Sequence, residues 1–311
     1  MQQNMFAEIW LALNDLHFST SGNRPAKRRK MDSTTSDYQE TGLVSVTESK
    51  SPGVYVVEFE SGRHCIRKTL ARSSGKRELE IYERLQEHSG IRHFIFEWSA
   101  GYWSAGEYLQ LPRLVPVGDE IRKPEGGCLK GQTLLLCAQL LNGIHFLHVQ
   151  LDVAHMDIKP NNLLLDIGSD ASPTLKIIDF NISIMDAHKR MVLPGARGTK
   201  GYMAPEVQGP SPYAPLLADR YSCGICMIEL LNIDEDQENV DSCFENFISF
   251  ATKLCSQSPE KRPSLTEVRT RRGLTLQQPL ETLLKGQSSD VEGCRTADEF
   301  IDLHLSGPLL I

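Results

Sequence analysis

Residues 154–165 read Ala-His-Met-Asp-Ile-Lys-Pro-Asn-Asn-Leu-Leu-Leu, a polar run enclosed by apolar sequence. The preceding residues, 131–149, carry apolar side chains at steps of three and four, and further leucines widen this stripe. The pattern predicts a helix that is apolar on most of its faces and therefore buried. Solubility does not explain acid, lysine, histidine and asparagine side chains packed between two hydrophobic elements, so the run indicates a functional site.

Four shorter motifs follow along the chain. Asp-Phe-Asn at 179–181 comes directly after Leu-Lys-Ile-Ile, a mainly apolar run that is typical of a buried strand. A carboxylate at the end of such a strand is costly to bury without a cation. Residues 198–206 read Gly-Thr-Lys-Gly-Tyr-Met-Ala-Pro-Glu, Asp-Arg-Tyr-Ser-Cys-Gly at 219–224 opens a predicted helix, and Lys-Arg-Pro stands at 261–263.

Local patterns predict a strand-rich region followed by a helical region. A hairpin is predicted from β-rich residues on both sides of a Ser-Gly turn at 61–62, and two further short strands follow it. The predicted strands are 54–59, 65–70, 93–98 and 107–111. The predicted helices are 75–87, 131–149, 217–231 and 241–256.

Together, these motifs resemble those of the eukaryotic protein kinase family. Their order matches a catalytic loop, a metal-binding aspartate, an activation segment ending in Ala-Pro-Glu, and the aspartate and arginine that anchor the helical lobe. The resemblance covers about residues 42–272. It implies an α+β, bilobal protein-kinase-like fold, with a small β-rich N-lobe at about 42–112, a larger mainly helical C-lobe at about 113–272, and ATP between them.

The resemblance implies roles for residues of the catalytic loop. Asp157 matches the aspartate that accepts or orients the proton of the substrate hydroxyl. Lys159 resembles the lysine that Ser/Thr-directed members place near the γ-phosphate, and Thr199 resembles the residue that packs near both, beside the substrate. Asn162, five residues after Asp157, matches the asparagine that helps to hold Mg²⁺, with neighbouring Asn161 as the less favoured candidate.

The resemblance also implies ATP and Mg²⁺ as cofactors. Asp179 matches the aspartate that bridges the metal to the phosphates, and carboxylate, amide and phosphate oxygens suit this hard cation. The small lobe must supply a cation for the phosphates. We favour Lys68, with Arg67 in a shifted register as the alternative, because strand alternation lets only one of them face the cleft. Glu78 on the next helix is the expected partner, and Glu80 is the second choice.

Other positions resemble structural residues of the family. His155 and Phe180 are expected to stack with Tyr82, which lies four residues after Glu78. The three rings would form an apolar column that aligns the lobes. The resemblance further implies that Asp219 holds the backbone of the catalytic loop. Glu206 and Arg262 are expected to form the ion pair that ties the activation segment to the large lobe.

Three departures from the family pattern matter. Residues 47–53, where a Gly-x-Gly-x-x-Gly loop is expected, contain one glycine, so close backbone cover of the phosphates is in doubt. Met156 replaces the arginine that normally meets a phosphorylated activation loop, so switching by phosphorylation there is not expected. Asn181 replaces a glycine, although asparagine tolerates unusual backbone angles. The compact stretch from 219 to 262 also puts the usual substrate-docking helices in doubt.

Composition excludes several other classes of protein. The net charge is −7 with a pI near 5.8, so no chain-wide basic field is available to hold nucleic acid or anionic lipid. Apolar runs are far shorter than a membrane helix requires. The eight cysteines are scattered, which predicts free thiols in a reducing, intracellular compartment, cytoplasmic or nuclear. Cys223 and Cys226 are expected to be core residues, with half of a zinc site as the weaker alternative.

Two extensions flank the kinase-like region. The spacing at 5–18 predicts an amphipathic helix within the N-terminal extension, 1–41, followed by a linker. Lys27, Arg28, Arg29 and Lys30 in this linker suit a nuclear-import receptor or form a solvated basic tail. Residues 273–311 form a C-terminal extension that braces the large lobe or binds a partner.

The resemblance predicts a protein kinase that transfers the γ-phosphate of ATP to Ser or Thr of protein substrates. The Gly-Thr and Ala-Pro-Glu residues of 198–206 favour protein over small-molecule substrates. The alternative is a pseudokinase that binds nucleotide or acts as a scaffold with little or no transfer, and the poor glycine loop favours it.

Overall fold

The computed structural model describes residues 42–88, 93–167, 173–190, 192, 194–195, 197–234 and 242–265. The predicted helix at 5–18, the basic run at 27–30 and the extension at 273–311 lie outside the described residues. Within them, the chain forms a small β-rich lobe and a larger, mainly helical lobe, so the predicted α+β class is confirmed. None of the described helices is long and apolar enough to cross a membrane.

A five-stranded antiparallel sheet forms the small lobe, in the order β1-β2-β3-β5-β4. Its strands are β1 (Leu43–Glu48), β2 (Val54–Phe59), β3 (His64–Thr69), β4 (Ser99–Trp103) and β5 (Gly106–Pro112). Helix α1 (Arg72–Glu87) follows β3 and buries Ile81, Tyr82 and Leu85. The predicted hairpin and helix are confirmed within a few residues. The edge strand β1 was not predicted, because most of its side chains are exposed and mark no buried face.

The strand predicted at 93–98 is wrong, because β4 begins at Ser99. His93, Phe94 and Ile95 are instead buried without belonging to a strand, and the backbone N–H of Ile177 donates to the carbonyl of His93 at 2.9 Å. The segment is apolar because it packs into the main hydrophobic core. A short apolar run of this kind does not distinguish a strand from a buried irregular segment.

Helix α3 (Thr133–Val149) forms the centre of the larger lobe and is buried on most of its faces, as predicted. Helix α2 (Val117–Ile121) precedes it, and α4 (Pro215–Leu231) and α5 (Ser242–Leu254) pack in sequence beside it. Short strands form two small antiparallel sheets, β6-β8-β9 and β10-β7. These strands are β6 (Val115–Pro116), β7 (Val153–Ala154), β8 (Leu163–Asp166), β9 (Thr174–Ile177) and β10 (Ile184–Met185).

The topology brings two of the predicted motifs together. The polar run lies between β7 and β8, and the Asp-Phe-Asn motif follows β9. Because Leu163 of β8 pairs with Ile177 of β9, the residues that precede β8 and those that follow β9 lie side by side. The backbone N–H of Ile178 accordingly donates to the carbonyl of Asn162 at 3.1 Å.

Candidate active site

Lys68 lies on the inner face of the small-lobe sheet, opposite Leu109 of β5. Its Nζ lies 2.9 Å from Oε2 of Glu78 and 2.5 Å from Oδ1 of Asp179. Glu78 projects from α1 and is buried, whereas Asp179 belongs to the larger lobe. The lysine therefore connects the sheet and the helix of the small lobe to the end of β9.

The electrostatics of this contact favour a bound cation. Burial alone lowers the pKa of Lys68, but the charges of Glu78 and Asp179 outweigh it and raise that pKa above its usual value. Lys68 is therefore protonated at neutral pH. Burial raises the pKa of Glu78, and the charge of Lys68 opposes that shift. Two carboxylates facing one ammonium group attract further positive charge to the cleft.

The alternative residues of the small lobe lie elsewhere. The guanidinium of Arg67 is on the opposite face of the sheet, 4.1 Å from the ring centroid of Tyr108, and it donates to Oε1 of Gln110 at 2.7 Å. Glu80 is exposed and pairs with Arg84 one helical turn away. Strand and helix periodicity thus direct Arg67 and Glu80 away from the cleft, so neither contacts Asp179.

Asp157, Lys159 and Thr199 form one hydrogen-bonded cluster in the larger lobe. Nζ of Lys159 donates to Oδ2 of Asp157 at 2.6 Å and to Oγ1 of Thr199 at 2.7 Å. Oγ1 of Thr199 donates in turn to Oδ1 of Asp157 at 2.7 Å. Asp157 is 9% exposed, so its carboxylate is held by donors in a largely dry environment yet can still be reached.

Asn162 joins this cluster, and Asn161 does not. The side-chain Nδ2 of Asn162 donates to the carbonyl of Asp157 at 2.8 Å and to its Oδ2 at 3.0 Å. Because the amide nitrogen is engaged in this way, Oδ1 of Asn162 is the atom left to bind a metal. Asn161 is exposed, and its Oδ1 lies against Gly118 of α2, on another side of the loop.

Asp179 has an unusual backbone conformation, with a φ of 71° in the left-handed region. L-residues reach this region at a cost, and such strain is concentrated at functional sites. The conformation brings the carboxylate to Lys68 directly after β9 ends. The carbonyl of Asn181, the last residue of the Asp-Phe-Asn motif, accepts a hydrogen bond from Nη1 of Arg77 at 3.4 Å. This bond attaches the motif to α1.

The donor atoms fit magnesium. Asn162 offers an amide oxygen and Asp179 a carboxylate, which are hard ligands, and their backbones are hydrogen-bonded neighbours through Ile178. In the described ranges, no group of three or more His, Cys, Asp or Glu residues is arranged to hold a metal. A site with two protein ligands suits Mg²⁺, which retains waters and binds substrate phosphates, better than it suits zinc.

Comparison with known sequences identifies the family. Residues 63–272 match the family described as protein kinase domain, which is more than half of the chain. The chain belongs to the protein kinase family. The bilobal fold and the order of the motifs are therefore those of a kinase, and family members use ATP and Mg²⁺.

Individual relatives of the chain are protein kinases at modest identity. It is 28% identical over 73% of its length to Serine/threonine-protein kinase STE20 of Saccharomyces cerevisiae, of which it covers 26%. It is 32% identical over 42% of its length to CBL-interacting protein kinase 8 of Oryza sativa, covering 32% of that protein. It is 29% identical over 62% of its length to SNF1-related protein kinase catalytic subunit alpha KIN12 of Arabidopsis thaliana, covering 41% of that protein. The chain thus spans about a quarter to two fifths of these curated relatives.

Asp219 of this kinase fixes the backbone of the polar run. Its carboxylate accepts from the backbone N–H groups of His155 at 2.6 Å and Met156 at 2.8 Å, and it lies 2.9 Å from Nε2 of His148. Met156 has a φ of 68°, another left-handed residue. The buried carboxylate therefore stabilises a strained turn immediately before Asp157. The contact of His148 with Asp219 was not predictable from the sequence, because no motif surrounds His148 in α3.

Glu206 and Arg262 form the expected ion pair. Nη1 and Nη2 of Arg262 lie 2.5 Å and 2.7 Å from the two carboxylate oxygens of Glu206, a bidentate geometry. The guanidinium is completely buried and also donates to the carbonyls of Leu217 and Ser256. This network ties the end of the activation segment to α4 and to the segment after α5.

The expected apolar column is present. The ring of Phe180 lies 5.3 Å from that of Tyr82 and 5.2 Å from that of His155, centroid to centroid. Two further aromatic neighbours were not predicted from the sequence, Phe94 near Phe180 and Trp98 near Tyr82. Both lie in residues 93–98, which were predicted to form a strand. An apolar run of this kind does not indicate which side chains it packs against.

Met156 is buried in a second apolar cluster, at the place where the arginine is expected. The other buried members of this cluster come from β7, β10, the segment after β10, the end of the activation segment, the stretch before α4 and α4 itself. They are Ala154, Ile184, Ala187, Ala204, Val207, Tyr213 and Ala218. The activation segment therefore packs on the large lobe through apolar contacts at this position.

Cys223 and Cys226 are fully buried free thiols of α4. Burial raises the pKa of both thiols well above their usual value, which suppresses the thiolate needed to bind a metal. The interpretation as core residues agrees with this environment.

Proposed function

We propose that this kinase transfers the γ-phosphate of ATP to Ser and Thr hydroxyls of protein substrates. The single observation that carries the proposal is the cluster in which Asp157 is held by Lys159, Asn162 and Thr199, beside an Asp179 that contacts Lys68. A chain with no catalytic role has no need for acids gathered around one cleft, because their mutual repulsion costs stability. Incubation of purified protein with γ-labelled ATP and a mixed Ser/Thr peptide tests the proposal, and the absence of labelled peptide contradicts it.

The residues divide the chemistry between them. Oδ1 or Oδ2 of Asp157 accepts the proton of the attacking hydroxyl, which requires the carboxylate to be aimed by its donors. Lys159 carries a positive charge next to that carboxylate and stabilises negative charge on the transferred phosphoryl group. Asn162 and Asp179 would hold magnesium. When bound, the ion neutralises phosphate oxygens and orients them. Lys68 positions the remaining phosphates, with Glu78 fixing its ammonium.

A first prediction separates Lys68 from Arg67. Lys68→Met is expected to abolish stabilisation by Mg-ATP, because it removes the cation between Glu78 and Asp179. Arg67→Met is expected to leave that stabilisation unchanged, since the guanidinium lies on the other face of the sheet. Thermal denaturation with ATP at about 100 times its Kd, which corresponds to about 2.7 kcal/mol for a bound ligand, measures both. Loss of the ATP effect in Arg67→Met alone would reverse the assignment.

The second candidate function is nucleotide binding without transfer, and one observation favours it. The turn between β1 and β2 satisfies most of its own N–H groups. Ser49 donates to the carbonyl of Val54 at 2.8 Å, Val54 to Ser51 at 3.1 Å, and Gly53 to Oε1 of Glu48 at 3.4 Å. Fewer N–H groups are therefore free to cover phosphates than in a glycine-rich loop. A protein that ATP stabilises but that transfers no phosphate would establish this function instead.

A second prediction concerns the activation segment, whose residues between Asp179 and Glu206 include only three hydroxyls. Ser183 is buried and donates to the carbonyl of His155 at 3.0 Å, Thr199 contacts Asp157, and the hydroxyl of Tyr202 donates to Glu229. Each hydroxyl is already engaged. We therefore expect that the activation segment adopts its active conformation without being phosphorylated.

Phosphatase treatment tests this expectation. Purified protein treated with phosphatase, and confirmed to be unphosphorylated by intact-mass measurement, should retain its transfer rate within about twofold after the phosphatase is removed. Met156→Arg should not raise the rate, because a charged side chain enters an apolar cluster. A fall of tenfold or more on phosphatase treatment, restored by rephosphorylation of the segment, would refute the prediction.

A further inference from the structure

The face of the small-lobe sheet that lies opposite Lys68 is rich in aromatic and apolar side chains. We call it the outer face, and it includes Tyr55, Val57, Cys65, Arg67, Trp103 and Tyr108. The guanidinium of Arg67 lies 5.2 Å and 4.1 Å from the ring centroids of Trp103 and Tyr108. The face of an antiparallel sheet that meets solvent is normally polar. The composition of the outer face therefore indicates that it is covered.

The burial of the outer face leads to the same conclusion. Val57 and Cys65 are 0% and 1% exposed, yet neither belongs to the two apolar clusters of the fold. Helix α1 lies on the opposite face of the sheet, where Ile81 joins Leu109 in the main core. The other described helices belong to the larger lobe, so none of the described helices supplies this cover.

The buried area has the width of a single helix. Val46 of the edge strand β1 pairs with Val57 and lies on the same face, but it is 40% exposed. The cover therefore lies over β2, β3 and β5 and does not extend to β1. Neighbouring strands are about 4.8 Å apart and a helix with its side chains is about 10–12 Å wide, so one helix spans this area.

We infer that the N-terminal segment 5–18 docks on the outer face as an amphipathic helix. Its apolar side chains, Phe6, Ile9, Leu13 and Leu16, fall on one side at helical spacing and match the apolar surface of the sheet. The burial occurs within a single chain, which favours a segment of this chain over a partner or a second copy.

The path of the chain selects the N-terminal segment over the C-terminal one. The linker at 19–41 leads directly to β1 of the same sheet, and it is long enough to reach any of the five strands. The extension at 273–311 follows Leu265, which is buried in the main core. Because β3 presents Arg67 on the outer face and Lys68 in the cleft, the docked helix supports the strand that carries the cleft lysine. This inference goes beyond the proposed function and does not depend on phosphate transfer.

The thiol of Cys65 tests the inference, because it lies on the outer face and is protected only while that face is covered. The full chain is alkylated with iodoacetamide, and the rate at each cysteine is read from its peptide by mass spectrometry. Leu13→Asp should raise the rate at Cys65 about tenfold or more, since the burial of one leucine shifts a docking equilibrium by at least that factor. Leu11→Asp, the same change on the opposite side of the predicted helix, should leave the rate unchanged.

Two other cysteines serve as internal references. Cys128 is exposed and should react at the same rate in every variant, whereas Cys137 is buried in the main core and should stay protected. Reaction of Cys137 in Leu13→Asp would mean that the variant is unfolded, and Leu13→Ala then replaces it, with an expected increase of several fold at Cys65.

Three results would overturn the inference. Cys65 in the wild-type chain could react as fast as Cys128, which would mean that the outer face is open. Leu13→Asp and Leu11→Asp could leave Cys65 equally protected, while Leu303→Asp in the C-terminal extension exposes it. Protection of Cys65 could also increase with protein concentration, together with a dimer in sedimentation velocity, which would assign the cover to a second copy.

Discussion

Asp157→Asn should lower kcat about 10²–10⁴-fold, the typical cost of losing a general base. Asparagine has nearly the same shape but cannot accept the proton of the substrate hydroxyl. Its amide would also place a donor against the donors of Lys159, Asn162 or Thr199, all of which now point at the carboxylate. Steady-state phosphate transfer to a Ser-containing peptide, at saturating Mg-ATP, measures the effect.

Two controls define this result. Asp166→Asn removes a carboxylate that is about half exposed at the end of β8, and it should change kcat less than twofold. Mg-ATP should still stabilise Asp157→Asn, because Lys68 keeps its contacts with Glu78 and Asp179. Asn162 loses its bond to Oδ2 but keeps the one to the carbonyl of residue 157. Equal transfer by wild type and Asp157→Asn would mean that a contaminating kinase produces the signal, and the enzymatic proposal would lose its support.

Glu206→Ala should lower the free energy of unfolding by about 3–5 kcal/mol, the cost of breaking a buried ion pair by removing one partner. The guanidinium of Arg262 is completely buried and would keep only backbone carbonyls as acceptors. The loss is large because the charge that remains cannot reach water. Urea denaturation, with the midpoint and slope determined separately, measures the change.

A surface ion pair provides the matched control for this variant. Arg84 and Glu80 lie 2.8 Å apart on α1, but their side chains are 37% and 50% exposed. Arg84→Ala should therefore cost about 1 kcal/mol or less. Replacing both partners, in Glu206→Ala with Arg262→Leu, should recover part of the loss because no buried charge remains. Equal costs for Glu206→Ala and Arg84→Ala would contradict the described network.

The motifs predicted from the sequence are local, and this locality explains why they were recognised. Asp157, Lys159 and Asn162 lie within six residues, so one loop brings them together. Strand alternation predicted that only one of Lys68 and Arg67 can face the cleft. The choice between them became clear only when the register of β3 and the position of α1 were known, since both residues are cations of similar length.

Distant contacts of residues outside the family motifs were not predicted. The hydroxyl of Tyr202 meets Glu229 across 27 residues, and no spacing rule connects them. The apolar segment that includes Phe94 was interpreted as a strand, because hydrophobicity alone records burial rather than backbone pairing. The apolar surroundings of Met156 come from several elements, so the sequence indicated a missing arginine but not the cluster that occupies its place.

The most direct test of the central claim, that these residues form one magnesium–nucleotide site, is a crystal structure of the full chain with Mg²⁺ and a non-hydrolysable ATP analogue. We predict that Oδ1 of Asn162 and a carboxylate oxygen of Asp179 bind one ion at about 2.0–2.1 Å, with Lys68 on the phosphates. A nucleotide bound elsewhere, or an ion that contacts neither Asn162 nor Asp179, would contradict it.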